Sequence, residues 1–173
     1  TSSTPYGEWP YAPYTNASES PKVQEKPYIC YDGEKGYGVM VPTMRKNATG
    51  ISWDKKVTGT FYSLNTFYIA DSEKDNSDTL NSALKEGKNI LVTPGVYTIE
   101  KPLSVTKKDT IIYGMGLATL EATKGTSAME VADEDGIKVC GLLFEAGEKK
   151  SQTLLKVGDK KTDVSHENNP LCF

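Results

Sequence analysis

From Gly87 onward the chain is a succession of short apolar runs broken by polar corners. The runs occupy positions 89–92, 96–99, 103–105, 110–113, 118–122, 128–131, 137–139, 142–144 and 154–157. Each is three to five residues long, and no helix-length segment intervenes. If the runs beginning near 90, 111, 129 or 137, and 154 share one face, the step is roughly 17–21 residues, and short strands at a coarse fixed period are the pattern of a solenoid. In a parallel β-helix each circuit lays its strand beside the equivalent strand of the next, and inward side chains stack into columns. The corners turn within a few residues, which favours Gly, Asn or Asp. Pro94-Gly95, Gly114, Gly116, Gly125, Gly136, Gly141, Gly147 and Gly158 stand at such corners. An antiparallel sandwich also uses short strands, but with a two-residue alternation. That alternation is blurred in Ile90-Leu91-Val92 and Ile111-Ile112-Tyr113, so the pattern predicts an all-β chain whose residues 88–158 are the first coils of a parallel β-helix.

The region before the coils divides differently. Residues 76–87 predict a short cap helix: Ser77 or Asp78 can cap it, Leu80, Ala83 and Leu84 form an i, i+3, i+4 stripe, and Gly87 stands at its exit. Residues 28–75 predict a hairpin and loop cap region, with strands at 28–31 and 37–41 around Asp32-Gly33 and Gly36, a polar loop from Pro42 to Ser63, and a strand at 66–70. Residues 1–27 carry five prolines interleaved with Tyr6, Trp9, Tyr11 and Tyr14. Proline blocks helix, so this segment predicts an extended, irregular arm draped over a larger body. Residues 159–173 predict a polar tail or a truncated next coil.

Composition bounds the function classes. At 173 residues there is room for one domain, and the formal charge of −3 with pI ≈ 5.3 supplies no basic footprint for nucleic acid or an anionic membrane. No apolar run approaches the ~18 residues of a membrane span, and a chain opening on Thr1 reads as mature or trimmed. Cys30, Cys140 and Cys172 are far apart with no CxxC pair, so neither zinc nor redox spacing is present, no metal or cofactor is expected, and at most one bridge can form. Asn16-Ala-Ser and Asn47-Ala-Thr are glycosylation candidates.

Specific residues then carry a resemblance. Asn89-Ile90-Leu91-Val92-Thr93-Pro94-Gly95-Val96-Tyr97 resembles the opening of the first coil in pectate-lyase-like right-handed β-helix proteins. Thr110-Ile111-Ile112-Tyr113-Gly114-Met115-Gly116 is similar to the step that follows it, and residues 136–144 to the coil after that. Gln24-Glu25-Lys26-Pro27-Tyr28, Val41-Pro42-Thr43-Met44-Arg45 and Leu117-Ala118-Thr119-Leu120 resemble a group of secreted microbial β-helix proteins. That group is related to exo-acting β-1,3-glucanase-type glycoside hydrolases, and its members also carry adenylyl-cyclase or coagulation-factor labels. The resemblance implies a right-handed β-helix, an extracellular location, a polysaccharide partner such as a β-glucan, and a longer chain whose catalytic acids lie beyond the part matched here.

Glycoside hydrolysis needs two carboxyls flanking the scissile bond. Glu121, Glu130 and Glu145 each lie within or beside an apolar run, where alternation can send them outward onto one common face as a groove of carboxylates; a merely solvated face is the competing reading. Trp53 can stack a sugar ring or pack on the first coil. No motif transfers a catalytic role, so the catalytic residues stay unassigned. A calcium lyase with an arginine base is disfavoured because Arg45 is the single arginine and precedes the coils. Gly114-Met115-Gly116 lacks the third Gly and the helix of a dinucleotide loop, and His166 sits in a polar stretch without triad partners.

A solenoid must cover both ends, and nothing after Val157 offers an apolar stripe to do so. The expectation is therefore one piece of a larger body, completed by further coils or another chain. The functional expectation is the N-terminal part of a secreted carbohydrate-active protein, a glycoside hydrolase when full length and inactive as this piece alone. The alternative is a non-catalytic glycan-binding or adhesin-like β-helix.

Overall fold

The computed structural model describes residues 18–50, 52, 57–158 and 165–173. Two small antiparallel sheets precede the coils. β1 (Ser20–Val23) pairs with β4 (Arg45–Ala48), and β2 (Tyr28–Asp32), β3 (Gly36–Pro42) and β5 (Gly59–Ser63) form a three-stranded sheet. The β2–β3 turn closes because the Asp32 carboxylate accepts from the backbone N–H groups of Glu34 and Lys35, each at 3.0 Å. Two expectations are corrected here. The end of the predicted irregular arm contains β1, and the predicted loop contains β4 and β5. Neither Ser-Pro-Lys-Val nor Arg-Lys-Asn-Ala has an apolar face to announce a strand; each is a strand because the other is its partner.

The helix α1 (Ser77–Lys85) follows β6 (Phe67–Ala70). Its cap is Asn76, not Ser77 or Asp78: the Asn76 side chain accepts from the N–H groups of Asp78 and Thr79, and the Thr79 hydroxyl accepts from the Asn76 N–H at 3.0 Å. This reciprocal box satisfies donors that the first turn leaves open. The buried stripe Leu80, Ala83, Leu84 faces the coil interior. Asn81 ties the helix to the first coil, since its amide donates to the Pro102 carbonyl at 3.0 Å and its oxygen accepts from the Ser104 N–H at 2.8 Å. An exposed strand edge would otherwise keep those groups unpaired.

The coils are parallel throughout. β6, β7 (Asn89–Val92) and the first parts of β10 (Ile111–Ala122) and β12 (Lys138–Ala146) make one face; β8 (Gly95–Ile99) with the second parts of β10 and β12 makes another. β9 (Leu103–Val105), β11 (Met129–Val131) and β13 (Leu155–Val157) make the third. The register stacks Tyr68, Ile90, Ile112 and Val139 in one inward column, Tyr97, Leu120 and Phe144 in another, and Leu103, Met129 and Leu155 in a third. All belong to or pack on one core. Tyr97 is wholly buried, yet its hydroxyl donates to the Ala70 carbonyl at 2.9 Å, as a buried phenol requires.

The predicted repeat of 17–21 residues is corrected by the register. A circuit takes 22 residues from Tyr68 to Ile90 and again to Ile112, then 27 to Val139. Runs near 129 and 154 lie on the third face, not with those near 90 and 111, and mixing faces shortens the apparent step. One corner is shared by successive circuits: Gly87 (φ 81°), Asp109 (φ 58°) and Gly136 (φ 72°) each stand two residues before the strand register Asn89–Ile111–Lys138. A left-handed turn at fixed phase suits Gly, and Asp is among the few other residues that enter it.

Candidate functional site

The carboxylates expected to share a face separate into two groups. Glu121 and Glu145 are register partners on β10 and β12, with Thr98 of β8 completing their outward column. Val96, Thr119 and Leu143 form the parallel column beside it. Glu130 lies on the third face instead, in register with Ser104 and Lys156. Equal spacing from apolar runs did not reveal this, because the face depends on which sheet a run joins. Glu130 and Lys156 border a shallow depression of about 180 Å³.

Adjacent parallel strands lie about 4.8 Å apart, so Glu121 and Glu145 are near neighbours. However, Glu145 is exposed and Glu121 only half-buried. A general acid is usually enclosed so that it keeps its proton near neutral pH, and these two stand on an open face. What they offer is a strip of carboxylate, hydroxyl and aliphatic groups along the coil axis. Trp53 and Asn16 lie outside the described residues. Asn47 is exposed on β4 with φ 49°. Cys30, Cys140 and Cys172 are free thiols, and burial, reinforced by Cys172, pushes the Cys140 thiol up to about 11.

A second assembly was not visible in the sequence. At the shared corner, Asp109 Oδ1 accepts from Asn169 Nδ2 at 2.8 Å, the Asp109 N–H donates to the Asp135 carbonyl at 2.9 Å, and the Gly136 N–H donates to the Asn169 carbonyl at 2.9 Å. Three circuits thus meet there. A Cβ at Gly136 would overlap both Asp109 Oδ1 and Asn169 Nδ2, so glycine is needed for the side chains to cross. Residues 169–173 then begin another pass along the coil: Cys172 bridges to Lys138 in parallel, and Leu171 packs on the core.

Lys138 is the unusual member. Only 3% of it is exposed, and its ammonium donates to the carbonyls of Gly136 and Pro170. No carboxylate pairs with it among the described residues. Burial holds its pKa below the ordinary lysine range, opposed by Cys172, Asp109 and Asp135. Lys138, Asp109 and Asn169 line a cavity of about 420 Å³ beneath the ends of β3 and β5.

The outer wall of this corner is held by His166, which the sequence placed on a polar surface. It is half-buried, with Nε2 2.7 Å from Asp133 Oδ1 and Nδ1 2.8 Å from Asp135 Oδ1. Both contacts are hydrogen bonds only when both ring nitrogens carry protons. Asp133, then Asp135, accordingly raise the imidazole above its usual value. Next to it, Glu167 pairs with Lys22 of β1 at 2.8 Å. No cluster of three or more His, Cys, Asp or Glu suited to a metal occurs among the described residues.

Comparison with known proteins converges on one group. The family model for the LAM55 pectate lyase-like domain matches residues 67–171. The chain is 38% identical over 167 residues to an exo-beta-1,3-glucanase of Streptomyces sp. (strain SirexAA-E / ActE), covering 96% of this chain and 27% of that protein. The solved structure of sacteLam55A from Streptomyces sp. SirexAA-E superimposes with a TM-score of 0.88 at 37% identity, over 98% of this chain and 31% of that one. A variant of the same protein in complex with glucose gives 0.86 over 97% and 31%. The chain therefore spans less than a third of the length of these relatives.

Proposed function

Because the chain belongs to the LAM55 pectate lyase-like domain family, we propose that it is the N-terminal part of a secreted glycoside hydrolase acting on an extracellular β-1,3-glucan. The observation that carries this reading is the likeness to an exo-beta-1,3-glucanase across nearly the whole chain, antiparallel sheets included. In this reading the coils are scaffold and binding surface. The open strip of Thr98, Glu121 and Glu145 beside the exposed Val96 and Leu143 suits an extended polysaccharide, whose hydroxyls meet carboxylates and whose C–H faces meet aliphatic side chains. The hydrolytic carboxyls are supplied by parts of the protein beyond this chain.

The openness of the Glu121–Glu145 pair favours a second reading, a glycan-binding β-helix without catalysis. Affinity electrophoresis tests what the two share. The chain should be retarded in gels containing laminarin and run freely in gels containing xylan; equal mobility in both overturns the β-glucan assignment. Sugar release separates the two readings. A longer protein containing this chain should liberate glucose from laminarin while the chain alone liberates none, whereas binding without release by the longer protein identifies the binding module.

A further inference from the structure

We propose that the cavity at the Asp109–Gly136–Asn169 corner is a non-catalytic binding site for one neutral sugar ring, separate from the open strip on the coil. Its volume of about 420 Å³ lies within the range of ~300–1,000 Å³ typical of small-ligand sites. The charges in its wall decide the ligand class. Lys138 brings a buried ammonium, and Asp109 brings a carboxylate whose second oxygen is not used by Asn169. A free anion would meet the like charge of Asp109, which stands exposed at the cavity rim, and a free cation would be desolvated against the buried ammonium of Lys138. A neutral polyol meets neither penalty, because each of its hydroxyls both donates and accepts.

The remaining lining fits the same ligand. The hydroxyls of Thr60 and Tyr62 and the amide of Asn168 border the cavity and have no hydrogen-bond partner among the described residues. Val41, half-buried beside the enclosed Ile111, supplies the apolar side of the cavity, against which a pyranose C–H face can lie. The polar groups are held in place before any ligand arrives: Asp109 by Asn169, Lys138 by the Gly136 and Pro170 carbonyls, and the 165–170 wall by His166 on Asp133 and Asp135. Such preorganisation limits the ordering cost of binding.

Glucose as the sugar rests on the β-glucan reading; the neutrality of the ligand rests on the cavity alone. Titration calorimetry of the full chain with D-glucose, laminaribiose and inorganic phosphate tests both. Glucose or laminaribiose should bind, and Lys138→Met should weaken binding at least tenfold. Because Lys138 is buried, Asn168→Ala and Thr60→Ala provide variants at less enclosed positions, each expected to weaken binding several-fold at an unchanged melting temperature. Phosphate binding in place of sugar, or sugar binding untouched by all three substitutions, overturns the proposal. Retardation in laminarin without sugar binding in the cavity would defeat this inference and leave the proposed function standing. Cavity binding without retardation would do the reverse.

Discussion

Two outward faces of the same coil have opposite fates. On the first face Phe67, Leu91 and Ile111 point away from the coil interior, yet all are buried because Val39 and its neighbours in the antiparallel sheet lie on them. On the second face Val96 and Leu143 point outward at 56% and 49% exposure. The difference explains the blurred alternation of the sequence. Ile90-Leu91-Val92 and Ile111-Ile112-Tyr113 are apolar on both sides because both sides are covered, as in other doubly buried parallel sheets. Val96-Tyr97-Thr98-Ile99 and Thr119-Leu120-Glu121-Ala122 alternate because only Tyr97, Ile99, Leu120 and Ala122 reach the core. Loss of alternation therefore accompanies the cover at 90–92 and 111–113, whereas Ile69 and Leu143 stay exposed within runs that are apolar throughout.

The strongest way to break this contrast is to truncate one residue on each face. Leu91→Ala should cost about 2–5 kcal/mol, the usual range for a buried leucine, whereas Leu143→Ala should change stability by less than about 0.5 kcal/mol. Urea denaturation of the two variants measures both, and equal losses would show that the antiparallel sheet does not seal the first face. A smaller effect is expected at the corner. Gly136→Ala forces a side chain into a left-handed turn, at about 1–3 kcal/mol, and also into the Asp109–Asn169 contact. It should weaken sugar binding in the cavity more than laminarin retardation.

The subtlest prediction concerns pH. The His166 imidazole is raised in the folded chain by Asp133 and Asp135, so its stabilising contribution is fully present below the ordinary imidazole value of about 6.5 and is lost as pH rises through the folded value. The melting advantage of the wild type over His166→Asn should therefore be full below about pH 6.5 and shrink as the pH is raised above it. Lys138, the Lys22–Glu167 pair and Lys46, which also acts on Glu167, are common to both proteins and cancel in the difference. A pH-independent difference would mean that His166 acts by packing alone.

The coils were legible because their signal is local: three to five apolar residues, then a corner residue that accepts a left-handed turn. The antiparallel cover was half legible. The β2–β3 hairpin has its Asp-Gly turn and apolar residues, but Ser20–Val23 and Arg45–Ala48 are polar strands defined only by each other. The cavity was not legible at all. Asp109 and Asn169 are 60 positions apart, and Lys138 looks like one polar residue in an apolar run until the return of residues 169–173 buries it. His166 seemed isolated for the same reason, since its two carboxylates belong to the preceding circuit. Residues whose meaning comes from stacking between circuits leave no trace within any one of them.

Hydroxyl-radical footprinting of the native chain tests the covered-versus-open contrast most directly, because it reads the two outward faces side by side. Leu143 and Leu117, the latter 78% exposed, should oxidise rapidly, while Leu91 and Ile111 should react as slowly as the interior residues Ile112 and Leu120. Oxidation of Leu91 and Ile111 at the rate of Leu143 would contradict it, showing that the first face is as open as the second.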